Sequence, residues 1–331
     1  MKEYRITKND AGQRLDRFTA KVVPLLPSSL AQKYIRIKRI KVNGKGSKRD
    51  YKLAVDDTVQ MYINDEFFDI PNEKNIYLKI SDPALDIVYE DENIILINKP
   101  VGTLCHGDSD FDYVSIISRV QAYLQKSGEW RPRDENSFTP ALCNRIDRNT
   151  SGIVIAAKNA ETLRIINEKL KQQEIDKYYI TIVHGIPNPK NATLERYIFK
   201  DAVKNRVYVT KNNQPGAKTA IMEYRTIAST NLDTPQKTGL SLLECKLITG
   251  RTHQIRAQLA DIGHPILGDG KYGNGRLDKI YNESKQALCS YKLIFNFKTD
   301  SGMLNYLNKK TFNLSDIQFK DKYSFLLTIH A

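Results

Sequence analysis

The sequence predicts an α+β protein in which a small basic α/β module precedes a larger unit built on a mixed sheet. Three observations carry that prediction. Segments of strand character outnumber helical ones and are joined by short turns. No internal repeat or low-complexity tract interrupts them. The first sixty residues have a helix and hairpin grammar of their own, and hold 15 Lys and Arg against 6 Asp and Glu. About nine of the thirteen net positive charges therefore lie in less than a fifth of the 331 residues.

In chain order, "GQRLDRFTAKVVPLL" places Leu15, Phe18, Val22 and Leu25 at helical spacing before Pro27. "SSLAQKYIRIKR" sets Gln32 three residues after Ser29, a capping-box pattern for a second helix that turns Lys33 and Arg36 away from Leu30 and Tyr34. "IKVNGK" is a short strand entering the Asn43-Gly44 hairpin turn, and "LAVDDTVQMYI" predicts a strand pair around Asp56-Asp57. A unit this small has a thin core, which suits docking better than catalysis. Residues 64–84 mix Asn, Asp and Pro without a sustained period and read as a linker between residues 1–63 and 85–331, with Phe67 and Phe68 available to pack on a neighbour.

Beyond the linker, "DIVYEDENIILINKP" predicts a hairpin, "YVSIISRVQAYLQ" an amphipathic helix, and "NAETLRIINEKLKQQ" a second helix capped by Asn159 with Leu163, Ile166 and Leu170 on one face. "DKYYITIVHG" and "SLLECKLI" predict strands, and "TGRTHQIRAQLADIG" a helix with Ile255, Leu259 and Ile262 inward. No apolar run approaches the ~18 residues of a membrane helix. The first ten residues predict no secretory signal, and four scattered cysteines without CxxC spacing fit a reducing compartment. A cytoplasmic protein with a polyanionic partner, most simply nucleic acid, is the expectation.

The stretch "LCNRIDRNTSGIVIAAK" sets Asp147 between Arg145 and Arg148 on a polar loop at the mouth of a buried-looking strand. Locally two readings stand side by side. An Asp before Asn-Thr-Ser-Gly serves a turn, its carboxylate bonding nearby amides. Alternatively, the flanking arginines hold the carboxylate ionised, Gly152 allows a close approach, and Asp147 acts as a nucleophile or base.

"NRIDRNTSGIVIAAK" resembles the HRLD-x-x-TSG motif of the RluA-type pseudouridine synthases, which modify large-subunit ribosomal RNA and some transfer RNA. "INKPVGTLCHG", "DKYYITIVHG" and "LITGRTHQIRAQLADIGHPILGD" agree with that family in order and spacing, and "GQRLDRF" with "IRIKRIKVNGK" resembles an S-four-like RNA-binding domain. The resemblance spans roughly residues 11–62 and 85–297. It implies a catalytic domain with a large, mostly antiparallel mixed sheet, and Asp147 as the nucleophile of an isomerisation in which uracil is cut from its ribose, turned and rejoined through carbon. It further implies Tyr179 as an active-site ring against an everted uracil, and Arg256 as the cation paired with Asp147. Neither cofactor nor metal is implied.

By position, Arg145, Arg148, Lys177, Arg251 and His253 are candidate RNA contacts around the site, and Lys33, Arg36, Lys41 and Lys45 are candidates on the module. Thr150, Ser151 and Gly152 shape the turn. Asn144 and Gln258 stand where the family often has His, and Ile146 where it has Leu; these departures bear on the target rather than the reaction. Ribosomal RNA is the expected substrate, transfer RNA the alternative, and a monomer the expected form. A non-catalytic RNA-binding or ribosome-assembly protein shares the module, but has no need for Asp147, Tyr179 and Arg256 to converge. A nucleoside hydrolase of glycosidase type normally uses two carboxylates, where this motif offers one among cations.

Overall fold

The computed structural model describes residues 1–68, 76–107, 115–201, 203–204, 206–230, 239–317, 319 and 322–323. Strands β1 (Lys2–Arg5), β2 (Ile40–Val42), β3 (Lys45–Gly46) and β4 (Thr58–Met61) form a four-stranded sheet in the order β1-β4-β2-β3, covered by helices α1 (Leu15–Val22) and α2 (Ser28–Arg36). Their core is separate from the rest of the chain and is closed by Ile6, Leu15, Phe18, Ile35, Val59 and Met61. Asn43 and Gly44 both have positive φ (51° and 75°), the backbone an Asn-Gly hairpin turn requires.

Three expectations for this region change. The segment around Asp56-Asp57 contributes one strand rather than a pair; β4 lies between β2 and β1, and the "KEYR" of β1 is mostly exposed and shows no apolar alternation. The capping box is absent because α2 begins at Ser28, which puts Gln32 too far along to cap; its side chain instead accepts a bond from Arg49. The ends of the linker belong to the two cores. Phe68 packs into the module, whereas Tyr77 joins the larger core edge-on to Trp130. Residues 69–75 between them lie outside the described residues.

The larger unit is built on β5 (Ile87–Glu90), β6 (Ile94–Lys99), β7 (Ala141–Leu142), β8 (Ser151–Ala157), β9 (Ile175–His184), β10 (Asn191–Asp201), β11 (Arg206–Thr210), β12 (Lys218–Thr230), β13 (Leu240–Leu247), β14 (Leu288–Phe295) and β15 (Thr311–Asn313). The strand order is β11-β10-β12-β13-β9-β14-β8-β6-β5, with β7 on β8 and β15 on β14. Among the described residues only the β14–β8 pairing is parallel, so the sheet is mixed and mostly antiparallel as expected. Helices α3 (Ile116–Lys126), α4 (Ala160–Lys171), α5 (Gln254–Asp261) and α6 (Gly275–Ile280) complete the unit. Ser115 caps α3 and Asn159 caps α4, each accepting from the amide three residues on.

Layering explains the strand compositions. Strand β8, "SGIVIAA", is buried at every position because both faces of the sheet are covered there. Its Val154 and Ala156 join Ile95, Ile97 and Ile255 on one side, while Ile153 and Ile155 meet Ile166 of α4 on the other. Gly152 is where β8 presses on β14. A Cβ there would sit 2.3 Å from the Ser290 carbonyl oxygen and 2.6 Å from its nitrogen, and the backbone has φ +114°. Gly152→Ala should therefore cost about 3 kcal/mol or more. Urea denaturation checks this; a loss under about 1 kcal/mol would show that the strands separate easily there.

Candidate active site

Asp147 lies on the connection between β7 and β8, which pair through Ala141↔Ala157 and Leu142↔Ala156. Four contacts hold this loop. Asn144 Oδ1 accepts from the Ile155 amide at 2.8 Å, and Gln286 donates to the Thr150 hydroxyl at 2.9 Å. Cys105 Sγ meets the backbone of Ile146, and the fully buried Lys99 donates to the carbonyls of Pro100, Thr103 and Arg148. Burial lowers the Lys99 pKa to about 8. With its backbone so pinned, Asp147 turns its carboxylate into a cleft of about 360 Å³, at the small end of the range that holds a small molecule.

The carboxylate meets Arg256 of α5, whose Nη1 donates to Asp147 Oδ2 at 2.9 Å. The other edge of the same guanidinium is taken by Asp269, fully buried, through Nε–Oδ2 at 2.7 Å and Nη2–Oδ1 at 2.8 Å. That bidentate pair fixes the guanidinium plane and leaves Nη1 for Asp147. Burial disfavours the charge on Arg256, but the two carboxylates outweigh it and raise its pKa. Burial likewise opposes ionisation of Asp269; Arg256 and the amides of Lys271 and Tyr272 prevail and hold it below the usual carboxylate range.

Tyr179 lies on β9, buried on the cleft wall opposite Ser290 of β14, and burial pushes its pKa up. Lys177, two residues earlier, also lines the cleft, and burial lowers its pKa. His253 precedes α5 in a left-handed conformation (φ 52°), with Nδ1 2.9 Å from the Tyr272 hydroxyl and Nε2 3.9 Å from Asp147 Oδ2. Asp147, Tyr179 and Arg256, drawn from three separate segments, thus line one cleft.

Other candidates fall elsewhere. Neither Arg145 nor Arg148 pairs with Asp147. Arg145 is exposed at the cleft rim, and Arg148 turns back to the Gly102 carbonyl at 2.9 Å, because the backbone bonds between Gly102 and Arg148 bring that acceptor beside it. Among the described residues no loop amide bonds the Asp147 carboxylate, as the turn reading requires. Arg251 lines the cleft but bonds the Thr219 carbonyl from the loop ahead of α5, whose first helical residue is Gln254. On the module, Lys33 and Arg36 share a groove with Lys48 and Arg49, while Lys41 lies over Tyr62 and Lys45 is exposed on β3. Gln258 is buried and bonds the carbonyls of Leu194 and Ala220. Asp269, Tyr272 and Lys99 were not singled out from the sequence, although Asp269 ends the quoted "GHPILGD". No group of three or more His, Cys, Asp or Glu among the described residues could hold a metal, and no described helix is long and apolar enough to cross a membrane.

Known proteins are similar to this chain in sequence and fold. Residues 93–261 match the family model described as RNA pseudouridylate synthase. A Mycoplasma genitalium protein named as an RNA pseudouridine synthase is 32% identical over 97% of this chain and 95% of its own length. The ribosomal large subunit pseudouridine synthase C of Vibrio vulnificus is 32% identical over 82% of this chain and 80% of its own, and that of Escherichia coli 29% over 87% and 85%. Human RNA pseudouridylate synthase domain containing 4 shares the fold, with a TM-score of 0.54 and 21% identity over 73% of this chain and 92% of that one. The chain belongs to the RNA pseudouridine synthases, which are isomerases acting on RNA.

Proposed function

We propose that the protein isomerises specific uridines of large-subunit ribosomal RNA, with Asp147 as the attacking group on an everted base. The observation that carries this is the pairing of Asp147 with one edge of a guanidinium whose other edge is locked by Asp269. A carboxylate held this way is oriented without being used up by its own loop. Tyr179 supplies a flat buried wall for the uracil, and Lys177, Arg145 and Arg251 line the cleft where the backbone of the target nucleotide would lie. The ribosomal target is supported by the names of the Vibrio and Escherichia relatives. This reading includes a monomer working in the cytoplasm.

Residues 1–63 serve in this reading as the RNA-docking module and 85–331 as the catalytic domain. The groove of Lys33, Arg36 and Lys48 would take up phosphate. Replacing those three by Ala should make the dependence of log affinity on log salt shallower by roughly 2, at about 0.7–0.9 per phosphate contact. A salt titration of RNA binding reads this, and an unchanged slope would remove the groove from the interface. The target itself is tested with unmodified transcripts of large-subunit ribosomal RNA and of transfer RNA. Pseudouridine should form in the ribosomal transcript; formation confined to transfer RNA would overturn that assignment.

A further inference from the structure

Making pseudouridine moves one proton. The N1–C1′ bond breaks, a C5–C1′ bond forms, C5 loses its hydrogen as a proton and N1 gains one, with no change of oxidation state. Asp147, as the attacking group, does not by itself account for that transfer. We propose that His253 is a further catalytic residue, the one that takes the C5 proton at Nε2 and gives up a proton for N1. The proposal rests on the functional reading above and adds a second role to the same cleft.

Placement comes first. Nε2 stands 3.9 Å from Asp147 Oδ2 on the cleft side. An atom about to be attacked lies roughly 3–3.5 Å from that oxygen. At the stage when the C5 proton leaves, the C5–C1′ bond has formed, so C5 is one bond from the atom Asp147 attacks whether that is ribose C1′ or uracil C6, its neighbour in the ring. N1 flanks C6 on the other side. A group beside Asp147 thus faces both the atom that loses a proton and the atom that gains one.

The ring is also held for the task. Residue 253 adopts φ 52°, a left-handed conformation in which His is enriched alongside Asn and Asp, directly ahead of α5, and its side chain lines the cleft. The Tyr272 oxygen accepts the Val207 amide at 2.8 Å and lies 2.9 Å from His253 Nδ1, edge-on to the ring. A phenol oxygen has two lone pairs, so in the Nδ1–H tautomer it accepts that proton as well and Nε2 is free to take one; in the other tautomer the phenol donates to Nδ1 and Nε2 carries the proton. The charged groups around the ring are Asp147, Arg256, Lys271 and Asp269. Burial lowers the imidazole pKa; Asp147 and Asp269 oppose this and Arg256 and Lys271 add to it, and the net shift favours the neutral ring.

The other cleft groups suit the task less well. Tyr179 is buried and burial pushes it further from ionisation, so its phenol keeps its proton. Arg256 is locked between two carboxylates.

The test uses His253→Asn in the full-length protein, since Asn tolerates the left-handed backbone but carries no proton near neutrality. Pooled unmodified ribosomal and transfer RNA transcripts are made once with uridine and once with 5-fluorouridine, from which no C5 proton can leave. The variant should lose about 10²–10⁴-fold in pseudouridine formation, yet rearrange 5-fluorouridine within about threefold of wild type, because the steps before proton loss do not need His253. Equal losses on both RNAs, or uridine turnover within threefold of wild type, would overturn the role of His253 alone. Wild-type protein that forms no pseudouridine in the pool would overturn the functional reading and this proposal together.

Discussion

Replacing Asp147 by Asn should abolish turnover, with a loss of roughly ten-thousandfold or more, while the fold and RNA affinity stay near wild type. Asn keeps the shape of the side chain and leaves the loop contacts through Asn144, Thr150 and Ile146 untouched. A role confined to the turn predicts the reverse, a modest stability loss of about 1 kcal/mol with activity retained. Single-turnover kinetics on a responsive transcript, beside a denaturant titration and a binding isotherm, separate the two. Near-normal turnover in a stable variant would end the case for Asp147 as the attacking group.

The second large effect belongs to Arg256, and it shows in stability as well as rate. Arg256→Met leaves the Asp269 carboxylate buried without its cation, which should cost about 3–5 kcal/mol. Loss of the group that orients Asp147 should cost a further 10²–10³-fold in rate. The stability deficit has a defined pH dependence. In the wild-type protein the folded pKa of Asp269 is depressed, so its contribution is present above the unfolded value, about 3.9, and is lost as pH falls through the lower folded value. In the variant burial acts without Arg256 and the folded pKa rises, so the charge opposes folding above it. The gap between the two proteins should be widest near pH 7 and narrow as pH approaches about 4. A gap independent of pH would mean that lost packing, rather than the unpaired carboxylate, explains the deficit.

What could be read from the sequence follows how local each signal is. Strands β6, β8, β9 and β13 and the cap Asn159 involve residues within a few positions of one another, and β-type alternation or helical spacing exposes most of them; the Ser115 cap shows only in the structure. The region from Asn191 to Thr230, which forms β10, β11 and β12, was not assigned, because their patterns alternate incompletely: β10 is exposed or half-buried at all but two positions. Strand β1 escaped for the same reason. The site divides along the same line. Asp147 sits in a recognisable motif, but its partner Arg256 is 109 residues away and was reached only through the family resemblance. The nearer charges, Arg145 and Arg148, were the obvious partners and the wrong ones, since adjacency in sequence does not set the direction of a side chain on a loop. Asp269 completes the clamp from another loop, where a Gly-Asp pair carries no local sign of its role.

The carboxylate of residue 147 should be what changes uridines in ribosomal RNA. Pseudouridine positions in large-subunit ribosomal RNA should be mapped in cells that carry either the wild-type gene or an Asp147→Asn copy at equal protein level. Defined uridines are expected to be modified in the first strain and unmodified in the second, with the other pseudouridines unchanged. An identical pattern in both strains would contradict the account.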